Sequence, residues 1–121
     1  MTTWVSEPGT EERAQRDVLD ITLRFDGDIT VCVLDGPLCA YTAPALDGWL
    51  EQLHDNGRSR VIVDAAGVAS MSSDGVAVLA EHAARFRVGG GGLRVRNASR
   101  VAHQVLELCG ARHLVGDGPA H

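Results

Sequence analysis

From Asp20 onward the chain switches repeatedly between a two-residue and a 3.6-residue hydrophobic period. Ile21, Leu23 and Phe25 alternate with Thr22 and Arg24, the pattern of a half-buried strand. Asp26-Gly27-Asp28 follows, with a glycine available for the positive φ of a hairpin turn. The run 29–34 is richer in Val and Ile and reads as the returning, more buried strand. Gly36-Pro37 is expected to break it. Thr42 then offers a capping oxygen to a helix that begins at Ala43, with Pro44 in its first turn. Leu46, Trp49, Leu50 and Leu53 fall at i, i+3, i+4 and i+7, one apolar stripe, and Gly57 is a natural stop.

Residues 60–64 (Arg-Val-Ile-Val-Asp) form a short, nearly continuous apolar run, which predicts a central strand ending at Asp64. A second helix is predicted from about Gly75 to Arg87, with Val76, Leu79, Ala83 and Phe86 on one side. Gly89 to Gly92 end it. Phosphate-binding glycine loops lead from a strand into a helix, whereas here a helix leads into glycines and then into the strand 93–97, so a turn is expected. Ser99 caps a third helix whose Val101, Val105 and Leu108 should face inward, and Gly110 closes it. A last short strand is expected near 113–115. Helix and strand alternate past the hairpin, so right-handed crossovers and parallel pairing follow. The expected class is α/β: a small sandwich with a mostly parallel mixed sheet, an N-terminal hairpin, and helices mainly on one face.

Composition narrows the function. The chain has 121 residues, enough for one domain, and a formal net charge of −5. All 11 basic residues are arginine, which removes Schiff-base lysine chemistry and the Walker A loop. The acidic balance argues against direct nucleic-acid binding, and 4% aromatics leave little for base stacking. Five acidic residues against two arginines fall within the first 20 residues, so most of the acidity sits in a polar leader, 1–19, expected to be mobile or loosely docked. The Gly-Pro-rich tail, 117–121, is expected to be disordered. No signal peptide and no run of about 18 apolar residues is present, so a cytoplasmic protein without membrane insertion is expected. Cys32, Cys39 and Cys109 form no C-x-x-C and read as reduced thiols. The five histidines have no ligand spacing, and no serine lies in G-x-S-x-G, so neither metal, cofactor nor catalytic constellation is expected.

One segment is odd for a purely structural loop: residues 70–75, Ser-Met-Ser-Ser-Asp-Gly, between the central strand and the second helix. Ser72, Ser73 and Asp74 are all good N-caps where a helix needs one. Charge placed here would face the positive end of the helix dipole.

Residues 68–79, Val-Ala-Ser-Met-Ser-Ser-Asp-Gly-Val-Ala-Val-Leu, resemble the signature loop of STAS domains, in particular the bacterial anti-sigma factor antagonists. Residues 35–46 are similar to the family's stretch before its first helix, and Gly-Gly-Leu-Arg-Val with Ser99 to Gly110 is similar to its last strand and helix. The resemblance spans about residues 20–116, the expected STAS domain. It implies a switch protein and not an enzyme: one that binds an anti-sigma factor, itself a serine kinase, and so frees a sigma factor for transcription. In the family the kinase phosphorylates the hydroxyl residue just before the loop glycine, and the modified antagonist lets go. The implied partner-binding residues are Met71, Ser72, Ser73, Asp74, Gly75, Val76, Cys39 and Thr42. Met71 and Val76 are expected to bury against the partner, so that an aspartate at either would abolish binding and spare the fold. Self-association as a homodimer is left open.

The chain departs from the family at the decisive position. Asp74 stands where the phosphoacceptor is expected, Ser72 where the loop aspartate is, and Cys39 where an aspartate of the first loop is. Asp74 could imitate the phosphorylated state weakly, the partner surface could have adapted to it, or Ser73 or Ser72 could have become the acceptor. The second reading ranks first, because a carboxylate is smaller and less charged than a phosphate. The alternative function is a STAS partner or sensory module of a transport or other signalling complex. An enzyme built on Asp64, Asp74 and His82 has least support: Asp64 reads as a strand-terminal loop anchor and His82 as a surface residue. Arg94, Arg96 and Arg100 form a local basic cluster, read as solvated surface.

Overall fold

The structure, a computed structural model, describes residues 18–116. Four strands, β1 (Asp20–Asp26), β2 (Ile29–Leu38), β3 (Arg60–Met71) and β4 (Gly92–Arg96), alternate after the hairpin with three helices, α1 (Ala43–Asp55), α2 (Ser73–Val88) and α3 (Arg100–Leu108). The sheet order is β1-β2-β3-β4, with β1 antiparallel to β2 and the other pairs parallel. This is the expected mixed α/β sheet. The expected leader and tail lie outside the described residues except for Val18 and Leu19; Leu19 is buried and belongs to the core.

The hairpin closes at Gly27, with φ of 63°. Arg58 clamps it: Nε donates to Thr30 Oγ1 at 2.8 Å, Nη2 donates to the Gly27 carbonyl at 2.9 Å, and the guanidinium lies 5.1 Å from the Phe25 ring centroid. Pairing register divides the sheet into two faces. Cys32, Leu34, Val61, Val63, Leu93 and Val95 share the face that meets the helices in one core. Arg24, Val31, Val33, Ile62, Arg94 and Arg96 share the other, on which none of the described helices packs.

Several local expectations give way to tertiary pairing. Gly36-Pro37 does not end β2. The strand continues to Leu38, with register shifts on both sides of Gly36 that accommodate a proline lacking an N–H. β3 likewise runs past Asp64 to Met71, because residues 67–71 pair with residues 35–38. On α1 the buried stripe is Ala43, Leu46, Leu50 and Leu53, while Trp49 is turned outward. On α3 it is Ala102 and Leu106; Val101 and Val105 are half-buried and Leu108 is 85% exposed. Ser99 sets that rotation, since its Oγ donates to the Val68 carbonyl at 2.8 Å and accepts from Ala102 N at 3.2 Å. The last expected strand is a 3-10 turn over Arg112–Leu114 and a single parallel bridge from Val115 to Val95.

Candidate functional site at the carboxyl end of the central strands

The ends of β2 and β3 deliver two loops to one edge of the molecule. Leu38 pairs with Met71, and Ser72 N donates to the Leu38 carbonyl at 2.9 Å, so the loop leaving β2 and the start of α2 are adjacent. Open α/β sheets place binding surfaces at this edge.

Thr42 shapes the first loop, though not as the expected helix cap. It is the N-cap residue of α1, but its side chain makes no capping bond. Its Oγ1 instead donates to the Pro37 carbonyl at 2.8 Å and accepts from Cys39 N at 2.9 Å, stapling residues 37–42 into one turn. Cys39 is half-buried in that turn, and its carbonyl accepts from Thr42 N and Ala43 N. Tyr41 projects from the tip, 90% exposed. The sequence reading did not single it out; an aromatic residue between a strand end and a helix cap is the signal that could have done so.

Gly75 fixes the second segment. A Cβ there would lie 2.6 Å from Leu38 Cγ, so only glycine lets the first turn of α2 rest on the end of β2. Ser72 is the N-cap residue, in extended conformation, and its carbonyl accepts from Gly75 N and Val76 N. Its hydroxyl oxygen is buried without a hydrogen-bond partner, so it neither caps the helix nor offers an accessible phosphate acceptor. Ser73 and Asp74, the first two helical residues, are exposed side by side. The Asp74 charge sits in the first turn, where the helix dipole favours it.

Met71 and Val76, expected to meet a partner, belong to the core at 9% and 5% exposure. Aspartate at either would place a charge inside the protein, so the expectation that the fold survives those changes is wrong. Six assigned residues therefore divide by role: Ser73 and Asp74 present chemistry, while Gly75, Thr42, Met71 and Val76 hold it in place. Ser72 and Cys39 contribute chiefly backbone groups.

His82 is the largest correction. It is fully buried, and its Nε2 lies 2.6 Å from Asp47 Oδ1, joining α2 to α1. Its Nδ1 is buried without a partner. The spacing could have shown this, since His82 falls three residues after Leu79 and four before Phe86, both buried. A second link between these helices is Arg85 to Glu51 at 2.7 Å, which holds the Glu51 carboxyl below its ordinary range through the hydrogen bond. Asp64 lies within β3 and not at its end. It still anchors a turn, accepting from Ala66 N at 3.1 Å and from Asn97 Nδ2 at 3.4 Å. Asp64 and His82 are thus engaged with other partners and do not join Asp74 in one cluster. Among the described residues no three His, Cys, Asp or Glu side chains converge as a metal site. No helix among them is long and apolar enough to cross a membrane.

A family model described as Mlab, STAS domain, matches residues 21–116. No curated protein matches the chain. Among solved structures, the anti-sigma factor antagonist SpoIIAA in its unphosphorylated form superposes with a TM-score of 0.73 at 16% identity, covering 84% of this chain and 90% of that one. The phosphorylated form of the same Bacillus protein gives 0.67 at 16% identity, over 84% and 93%. An anti-sigma factor antagonist from Mycobacterium paratuberculosis gives 0.71 at 17% identity, over 87% and 89%.

Proposed function

The chain belongs to the STAS domain family, and we propose that it acts as an anti-sigma factor antagonist, a non-enzymatic protein that binds an anti-sigma factor of the serine-kinase type and so frees a sigma factor. The observation that carries this reading is the pairing of Ser73 and Asp74 on the exposed first turn of α2, beside the stapled 39–42 turn. Asp74 holds about one negative charge where the family pattern places a phosphoacceptor. A partner surface adapted to that carboxylate binds without release by phosphorylation, because Asp74 has no hydroxyl and the Ser72 oxygen is buried. Ser73, and Ser70 at the end of β3, are the remaining accessible hydroxyls in the segment.

The second reading, a STAS partner or sensory module of a transport or other signalling complex, is favoured by the same carboxylate, since such roles need no phosphoacceptor. A calorimetric titration against a kinase-type anti-sigma factor from the same genome separates the two. The expected result is one-to-one binding, weakened at least tenfold (about 1.4 kcal/mol) by Asp74→Arg, with the melting temperature lowered by only a few degrees through the reversed charge at the helix N-terminus. After incubation with ATP, mass spectrometry should find no phosphate on residues 70–75. Absent binding rejects the sigma-linked reading, and phosphate on Ser73 rejects the loss of kinase control.

A further inference from the structure

The glycine turn after α2 and the arginines of β4 take no part in the surface above, and they meet at the opposite end of the sheet. Register sets Arg60 opposite Gly92 and Ile62 opposite Arg94, all at the start of β3 and β4 and all on the face that no described helix covers. A cavity of about 350 Å³ opens there, floored by Ile29 and Ile62 and flanked by Arg60 and Arg94. No carboxylate lines it. Neither arginine has a hydrogen-bond or ion-pair partner among the described residues.

Three glycines border this cavity, and two have structural reasons. Gly90 has φ of 93°, and a Cβ on Gly91 would lie 1.8 Å from the Ser59 carbonyl oxygen. Gly92 has neither: its φ is not left-handed, and a Cβ there would meet nothing within 4 Å. Its missing side chain leaves open space on the face that carries Arg60 and Arg94, where the Arg94 side chain folds against Gly116 and can swing back over the cavity. An anion in that space would be neutralised by both arginines, and the planar donors of arginine suit phosphate oxygens. The isoleucine floor suits an apolar group attached to it.

We propose that this cavity binds a small phosphate monoester, its phosphate held between Arg60 and Arg94 over Gly92 and its organic part on Ile29 and Ile62. The site is remote from the α2 N-terminus and does not depend on the sigma-linked reading. The test is a titration of the 15N-labelled protein with phenyl phosphate, followed by backbone amide shifts. Saturable shifts are expected at Ile62, Gly92 and Arg94, with affinity reduced at least tenfold in Arg60→Gln and in Arg94→Gln. Gly92→Val, which fits an extended strand with nothing in the way, should keep the melting temperature and lose the binding. Inorganic phosphate should bind several-fold more weakly than phenyl phosphate. Shifts that fail to saturate, or binding that persists in Gly92→Val, overturn the site; equal affinity for the two probes overturns the role of the isoleucine floor.

Discussion

Gly75→Ala tests whether α2 rests on β2 as tightly as described. In a helix, alanine is ordinarily favoured over glycine by about 1 kcal/mol. Gly48, inside α1 and exposed, shows the ordinary case: nothing lies within 4 Å of an added Cβ, so Gly48→Ala should stabilise by about 0.5–1 kcal/mol. At Gly75 the new methyl would lie 2.6 Å and 2.9 Å from Leu38 side-chain carbons and 3.1 Å from the Leu38 carbonyl oxygen. Leu38 is fully buried, so relief means moving a core side chain or the strand end that binds Ser72 N. Overpacking of this kind costs about 1–3 kcal/mol, which leaves a net loss of up to about 2 kcal/mol after the helix preference is subtracted. For a fold of this size that lowers the melting midpoint by as much as roughly 15 °C, whereas Gly48→Ala raises it by a few degrees. Thermal melts followed by circular dichroism measure both. Leu38→Ala, destabilising alone by about 2–5 kcal/mol, should be less so in the Gly75→Ala background, because the added methyl enters the vacated space. If Gly75→Ala stabilises as much as Gly48→Ala, the close approach of α2 to Leu38 is refuted.

Two further outcomes follow from the same geometry. Thr42→Val keeps the shape of the side chain but removes its bonds to the Pro37 carbonyl and Cys39 N, and should destabilise by about 1–3 kcal/mol in urea titrations while weakening partner binding. Burial pushes the Cys32 thiol up to about 12, so Cys32 should resist a thiol reagent under native conditions while exposed Cys109 reacts at once. The same shift raises the folded-state value above the unfolded one near 8.5. The stability it contributes is therefore complete below that pH and is lost as pH rises toward 12, which alkaline melts of wild type and Cys32→Ala should reveal.

The parts of the fold legible in the sequence were those in which local chemistry and tertiary pairing agree. The Gly27 hairpin, the helix start at Ala43 and the Ser99 cap are such places. Where they conflicted, pairing won. Proline and glycine at residues 36–37 are local strand breakers, yet the partner strand continues through residues 67–71 and draws them into the sheet. Side-chain direction was the other blind spot. Trp49 and Leu108 satisfy a helical stripe by type but turn outward, while His82, read as a surface residue, lies on the inner face of α2. The candidate site was legible as a segment, because Ser72, Ser73 and Asp74 offered more caps than one helix uses. Their division of labour was not, since it depends on Gly75 docking onto Leu38 and turning the Ser72 hydroxyl inward.

The claim that partner binding occupies the carboxyl end of β2 and β3 is tested most directly by amide hydrogen exchange of the protein alone and in complex with the proposed anti-sigma factor partner. The account predicts new protection concentrated at residues 39–42 and 72–76, with the amides of β4 and the glycine turn unchanged. Protection confined to residues 89–96, or to the outer face of α3, would contradict it.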